Sequence, residues 1–533
     1  MRSPPLHFPR LASFLVAALA AAAVTAPSAS TSGPATGRAV VGFASNAELA
    51  QALRRFPGAK IVRRLPRMKT VEVELPGRAE ALHGLPGIAY SHRPLVRTSK
   101  VEPALAAVFR PGVPYEWQYV ATRLDEVPEE ILRAASTIKI AVVDTGVDVT
   151  HPDIAAKNPE TWDIVHRRTN VVDRAGHGTF VSALAAGSVA NGDGIAGFGG
   201  DAQLLMVKAV GSGGSFSDVD EAAGIVYAVD HGAKIINLSI GGLGSSPLET
   251  RAIQYAASRN VLLVAAAGNE FAHGNPVEYP AAALQPVGSR GQGGFGLAVA
   301  ASTIAGRRAS FSNTGTQISL AAPGESVFGA VAAGSSRQHW PRHPLPGATS
   351  GLYGWSSGTS FSTPEVAGAA ALVWAANPEL SAQQVAGILK ATASGRGKWN
   401  PQLGYGVIDV AAAVASARGQ AVEPRVQAGS WLSVRRVSDR TARSVRPKRS
   451  LRRVRLAVHL RSSKPTVTPD YRTVTLQIRR GGSWHRLART TTRLGGGIRW
   501  TVALRPGRHV LRAVYRGRWD LSASLRLKPV YVR

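Results

Sequence analysis

The sequence predicts a doubly wound α/β domain with a mostly parallel sheet, preceded by a small α+β unit and followed by a small all-β, sandwich-like domain. Three observations carry this. Five nearly unbroken, β-branched apolar runs recur between residues 138 and 300, the pattern of strands buried on both faces of a sheet. Helix-spaced segments alternate with them, as parallel crossovers require. Beyond residue 450 the pattern changes to short alternating runs separated by glycine turns, the signature of antiparallel strands.

At 533 residues the chain exceeds what one hydrophobic core supports, so several folded units are expected. Its 44% hydrophobic and 18% charged residues, with 56 Gly and 33 Pro, suit loop-rich globular domains and argue against a coiled coil or a disordered chain.

At the start, Arg2 and Arg10 precede the apolar run Leu11 to Val24, and small residues end at Pro27-Ser28-Ala29. Residues 1–29 therefore read as a secretory signal peptide cut after Ala29. The run is shorter than the roughly 18 apolar residues a membrane anchor needs. No later segment is a candidate span, and the expected location is secreted and extracellular. The chain has no cysteine, which excludes disulfides, a cysteine nucleophile and thiolate metal sites.

The next unit runs over 37–100. Arg38 to Phe43 and Thr70 to Leu75 read as strands, Asn46 to Phe56 as a helix capped by Ser45 or Asn46, Arg78 to Leu85 as a second helix and Gly87 to Tyr90 as a closing strand. The central domain, 114–416, takes its strands at Ile138 to Val143, Leu204 to Val210, Ile235 to Ser239, Val261 to Ala266 and Leu297 to Ala300. Helices are expected at Gly178 to Gly187, Ser217 to His231, Leu248 to Arg259 and Pro364 to Ala376. Residues 417–450, polar and arginine-rich, read as a linker, and 451–533 as the β-sandwich domain.

Functional groups in open α/β sheets gather beyond the carboxyl ends of strands. Asp144 directly follows the first strand in IKIAVVDTGVD, where a carboxylate could orient an imidazole or stabilise a turn. An aspartic-protease pair would need a second Asp-Thr/Ser-Gly, and there is none. His177 has glycine on both sides and opens a helical segment, which lets a partner approach the ring closely. Ser360, in SSGTSFSTP, stands ahead of a helix where backbone N–H groups favour an anion; a plain N-cap serine is the alternative. Asn269 follows a strand in AAAGNE and can donate to a developing oxyanion or simply sit in a loop.

In chain order these residues run Asp, His, Asn, Ser, and Asp-His-Ser is the order of the subtilisin triad. With VVDTGVDVTHPDI, GHGTFVSALAAG, INLSIGG, VAAAGNE and SSGTSFSTPEVAGAAAL, the stretch from about Pro114 to Asp409 resembles the subtilisin-like serine proteases. The resemblance implies a serine-type endopeptidase with Ser360 as nucleophile, His177 as general base and then acid, Asp144 orienting the imidazole, and Asn269 with the Ser360 N–H as oxyanion donors. It has two departures: Phe361-Ser362 stands where the family more often has Met-Ala, and Phe180 where it has His.

The same resemblance assigns Ser239, Gly241, Gly242 and Gly268 to the walls of the substrate cleft and Glu278 to the base of the pocket for the residue before the cut. A carboxylate there would favour Arg or Lys. It implies no organic cofactor but a structural calcium site at Asp153, Asn191 and Asp193, with Gln118 as a further contributor, since hard oxygen donors suit Ca²⁺. It makes 37–100 an inhibitory propeptide, the chain's own intramolecular inhibitor, with self-cleavage between Arg97 and Arg110; Arg97 or Lys100 would fit a basic preference.

The net charge of +30 is concentrated in the tail, where residues 421–533 hold 28 Lys plus Arg against 4 Asp plus Glu. Such a surface suits anionic cell-surface polymers, with cell-wall association as one consequence, or mere solubility. No zinc spacing or aromatic-interleaved motif points to specific nucleic-acid binding. The rival from another class is a non-catalytic polyanion-binding or cell-surface-binding protein on a relic protease fold; a secreted esterase would use the same serine but shows no acyl-pocket signature.

Overall fold

The computed structural model describes residues 36–76, 79–99, 116–189, 194–211, 214–336, 339–343, 350–421, 430–440, 452–462, 473–492, 496–515 and 524–532. The expected signal peptide, Lys100, and the metal candidates Asn191 and Asp193 lie outside them.

The N-terminal unit is an antiparallel sheet of β1 (Thr36–Phe43), β2 (Lys60–Leu65), β3 (Thr70–Pro76) and β4 (Ile88–His92) in the order β2-β3-β1-β4. Helix α1 (Asn46–Leu53) lies against it, with Ser45 Oγ accepting the Glu48 N–H at 3.2 Å, a standard N-cap. Ala39, Val41, Val71, Val73 and Leu75 meet Leu49 and Ala52 in a private core. Two expectations need correction. The second helix is only a short 3₁₀ turn, Ala79–Leu82, and Lys60–Leu65 is a strand that the sequence reading omitted. β2 is an edge strand with no fully buried residue, only Ile61 and Leu65 packing half-buried against the cores, and Lys60, Arg63 and Arg64 along it are the charges typical of a protected edge.

The chain continues as β5 (Val96–Ser99) before the main domain. There, β6 (Lys139–Asp144), β7 (Glu160–Asp163), β8 (Gln203–Lys208), β10 (Ile235–Leu238), β12 (Leu262–Ala266), β13 (Gly296–Ser302) and β14 (Leu320–Pro323) form one sheet in the order β14-β13-β12-β10-β6-β8-β7. Every neighbouring pair is parallel. β9 (Phe216–Ser217) and β11 (Ile240–Gly241) flank β5, and β15 (Val327–Ala330) pairs with β16 (Tyr353–Ser356).

Helices α2 (His177–Ala186), α3 (Asp218–Asp230), α4 (Pro247–Ser258), α5 (Thr359–Ala376), α6 (Ala382–Thr392) and α7 (Val410–Ala417) cover the sheet. Alternate strand residues explain the two layers. Ile140, Val142, Leu204 and Met206 pack with α2, α5, α6 and α7; Ala141, Val143, Leu205 and Val207 pack with α3 and α4. The N-terminal sheet docks on that second layer through Val40, Met68 and Tyr90, with Arg63 Nη1 at 2.7 Å from Asp220 and Arg251 Nη1 donating to Met68 O at 2.9 Å. The strand order reverses at β6, between β8 and β10, which makes the carboxyl ends of β6 and β10 the expected position of a site.

The C-terminal region is a two-sheet arrangement with one core. β17 (Ser430–Arg440), β18 (Arg452–Ser462), β19 (Thr473–Arg480), β20 (Ser483–Thr491), β21 (Gly497–Leu504), β22 (Gly507–Tyr515) and β23 (Ser524–Val532) form antiparallel sheets β17-β18-β21 and β20-β19-β22-β23. Val454, Leu456, Val458 and Leu460 are buried in the shared core, while the alternating Arg453 and Arg455 face solvent. β17 falls within 417–450, the stretch read as linker, and pairs with β18 along its length; its arginines hid the alternation.

Candidate active site

Asp144 closes β6 and is fully buried. Its Oδ1 accepts the Thr145 N–H at 2.7 Å and lies 2.7 Å from His177 Nδ1. His177 is the first residue of α2, 2% exposed, and its Nε2 is buried with no hydrogen bond among the described residues. The glycine after it is a steric requirement. A Cβ on Gly178 would stand 2.1 Å from Gly146 O and 3.1 Å from Asp144 Oδ1, so a larger residue would push the helix away from the carboxylate.

Asp173, which the sequence reading did not single out, ties these pieces together. Its buried carboxylate accepts Thr145 Oγ1 at 2.9 Å, the Gly176 N–H at 2.8 Å, and the Thr179 N–H and Oγ1 at 2.8 and 2.7 Å. Burial pushes its carboxyl above the usual range, against the lowering effect of those donors. The only sequence signal was its position four residues before the histidine.

Ser360 is the second residue of α5 and fully buried. The helix begins at Thr359 rather than at Pro364, as expected from sequence, and Pro364 sits inside it. A proline lacks the N–H that would bond the carbonyl four residues back. That carbonyl, Ser360 O, instead accepts Ser239 Oγ at 2.8 Å, and Ser360 Oγ in turn donates to Ser239 O at 2.9 Å. Ser239 directly follows β10, so this reciprocal pair joins the helix start to the strand end.

Asn269 follows β12 by three residues. Its Oδ1 accepts both the Thr359 N–H at 3.0 Å and Thr359 Oγ1 at 2.9 Å, which leaves Nδ2 buried and without a partner among the described residues. Gly268 has φ +105°, a region that favours glycine. A Cβ there would lie 2.9 Å from Glu278 Cδ, so Glu278, 2% exposed, stands directly behind the cleft wall. Gly242 exchanges two 3.0 Å backbone bonds with Tyr279, and Gly241 lies in β11. The two departures from the family pattern are in contact: the Phe180 and Phe361 rings are 4.6 Å apart, and Trp340 packs 5.3 Å from Phe180.

Of the metal candidates, Asp153 is buried and accepts the Ile195 N–H at 3.1 Å. Gln118 is also buried, with Nε2 donating to Phe328 O at 2.9 Å and Oε1 lacking a hydrogen-bond partner among the described residues. Glu116, two residues earlier, has its carboxyl pushed up to about 7 by burial and by the charge of Asp153. Among the described residues no group of three or more His, Asp or Glu is arranged to hold a metal, so any such site would depend on amide and carbonyl oxygens as well.

A carboxylate bonded to an imidazole at the switch point of a doubly wound sheet, with a serine and an unsatisfied amide on neighbouring elements, fits a serine-type endopeptidase, and the comparisons with known proteins show that class. The subtilase family model (peptidase S8) matches residues 135–406. Thermitase of Thermoactinomyces vulgaris is 35% identical over 268 residues, covering 50% of this chain and 85% of thermitase. The thermophilic serine proteinase of Bacillus sp. (strain AK1) is 32% identical over 288 residues, and the chain spans 65% of its length. The crystal structure of fervidolysin from Fervidobacterium pennivorans, 21% identical, shares the fold with a TM-score of 0.59 over 95% of this chain and 77% of fervidolysin. The chain belongs to the subtilase family. The non-catalytic alternative is not favoured, and among the described residues no helix is long and apolar enough to cross a membrane.

Proposed function

We propose that the protein is an exported zymogen whose endopeptidase activity is carried by Asp144, His177 and Ser360. The observation that carries this reading is the 2.7 Å Asp144–His177 contact, which commits Nδ1 to the carboxylate and leaves Nε2 as the ring's proton acceptor. Ser360 Oγ attacks the peptide carbonyl while Nε2 takes its proton. Asp144 holds the tautomer and stabilises the imidazolium. The tetrahedral oxyanion receives Asn269 Nδ2–H, whose direction Thr359 sets by occupying Oδ1. Nε2 then protonates the leaving amine, and water hydrolyses the acyl-enzyme by the same path reversed. In the zymogen Ser360 Oγ donates to Ser239 O; a substrate N–H competing for that carbonyl would release the hydroxyl toward Nε2.

Glu278, behind Gly268, supports a preference for Arg or Lys immediately before the cut. Residues 37–100 are read as the inhibitory propeptide because β5 lies in strand register beside Ile240 and Gly241, immediately after Ser239. The sequence of residues 1–29 supports export. Asp153, Gln118 and Glu116 fit a structural divalent cation, with Asn191 and Asp193 as the remaining donors on sequence grounds; Ca²⁺ would neutralise the buried Asp153 carboxyl and the half-buried Glu116 carboxyl, which otherwise repel one another. The solvent-facing arginines of the C-terminal sheets, such as Arg455 and Arg499, support retention near anionic cell-surface polymers.

The zymogen reading is tested by N-terminal sequencing of wild type and Ser360→Ala expressed in a protease-deficient secreting host. Wild type should start downstream of residue 99 and the variant should retain the 37–100 unit. Identical processing of both would overturn self-cleavage.

A further inference from the structure

Strand β5 fills the gap between β9 and β11. Val96 and Arg97 stand opposite Ser217 and Phe216, while Thr98 and Ser99 stand opposite Gly241 and Ile240, antiparallel throughout. Asp218 clamps the entering chain, with Oδ1 accepting the Leu95 N–H at 2.9 Å and its own N–H donating to Leu95 O at 3.0 Å.

Arg97 is fully buried, so it is not the residue at Ser360 that the sequence reading allowed it to be. Its Nε donates to Glu221 Oε2 at 3.0 Å and its Nη2 to Glu249 Oε1 at 2.8 Å. Both glutamates are themselves fully buried. Glu221 and Glu249 come from the first turns of α3 and α4. Asp218 adds a third negative charge acting on the guanidinium. Burial pushes both glutamate carboxyls upward, and Arg97 opposes that rise. Three desolvated carboxylates around one cation make a cavity that is costly to leave without one. The two glutamates take different nitrogens of a planar fork, which a single ammonium cannot reproduce.

The strand leads toward the nucleophile. With Ser99 opposite Ile240, the following residue of a chain in this register is level with Ser239, whose carbonyl accepts Ser360 Oγ. Backbone pairing with β9 and β11 does not depend on side chains, so any extended peptide in the cleft brings its own residue to the position of Arg97. We propose that Asp218, Glu221 and Glu249 form a specificity pocket for arginine at the fourth residue before the cleaved bond. The inference rests on Ser360 being the nucleophile of an endopeptidase, and it extends that reading to a substrate class: proteins with arginine three residues upstream of the residue at the cut.

The test compares quenched fluorogenic peptides containing Arg-Thr-Ser-Lys with the same peptides carrying citrulline, the neutral isostere, or lysine in place of the arginine. The enzyme is the processed wild type, so the result does not depend on variants folding. Its kcat/KM should be at least about 30-fold higher for arginine than for citrulline, with lysine between them, and Glu221→Gln or Glu249→Gln should bring the ratio toward one. Equal rates for arginine and citrulline would overturn the pocket. Enzyme that labels with a fluorophosphonate at Ser360 but cuts neither peptide would overturn the pocket and leave the nucleophile standing; enzyme that does not label would overturn the endopeptidase reading and the pocket with it.

Discussion

His177 Nδ1 lies 2.7 Å from Asp144 Oδ1, although the two residues are 33 positions apart in the chain and come from a helix start and a strand end. Neither is accessible to bulk water. An amide at position 144 would keep the shape but offer a donor or a neutral oxygen to the ring. Asp144→Asn should lower kcat by on the order of 10⁴-fold with little change in KM, measured by steady-state hydrolysis of a peptide substrate. A loss under about tenfold would detach Asp144 from the chemistry.

Asn269 should contribute in the transition state. Asn269→Ala is expected to cost about 10²-fold to 10³-fold in kcat with KM nearly kept. Thr359→Val, which removes the hydroxyl that occupies Asn269 Oδ1, should give a smaller loss of the same kind. A KM effect with unchanged kcat in the alanine variant would instead make Asn269 a ground-state binding residue.

Asp173→Asn replaces an acceptor of four donors with a group carrying its own N–H bonds. The clash of donors should destabilise the domain by about 1–3 kcal/mol, read as a lower melting temperature in the Ser360→Ala background, where self-digestion is absent. Unchanged melting would mean the network around Thr145 and Thr179 is dispensable.

The Glu116 carboxyl is raised to about 7 by burial and Asp153. A carboxyl held above its unfolded value favours the folded state below about pH 4.5, and that contribution is lost as pH rises through about 7. Calcium-free protein should therefore lose melting temperature between those limits. Calcium, which binds the ionised form, should restore more stability at pH 8 than at pH 5. Calorimetry with and without chelator checks both; no calcium-dependent shift at pH 8 would remove the cation from the account.

The elements legible in the sequence were those whose burial is complete on both sides. Ile138 to Val143 and Val261 to Ala266 read as strands because both faces are covered by helices, leaving Lys139 at the start of β6 as the one polar interruption in these two runs. β2 was hidden for the opposite reason, because Lys60, Arg63 and Arg64 on an exposed edge mask any alternation, and in β17 the Arg435-Arg436 pair interrupts the alternation in the sequence itself. The α5 boundary was displaced because Pro364 looks like a first-turn residue, whereas Ser239 Oγ satisfies the carbonyl that the proline leaves open. Asp144, His177, Asn269 and Ser360 stood out through their glycine-rich surroundings. Asp173 did not, since four donors converge on it only in the fold. Asp218, Glu221 and Glu249 look in sequence like acidic residues that favour a helix N-terminus; only the register of β5 brings Arg97 between the two glutamates.

The most direct measurement of the central claim is active-site labelling of the purified protein with a fluorophosphonate probe, comparing wild type with Ser360→Ala and mapping the modified residue by mass spectrometry. A single adduct on Ser360 is expected in the wild type and none in the variant. Labelling that persists in Ser360→Ala would contradict the central claim.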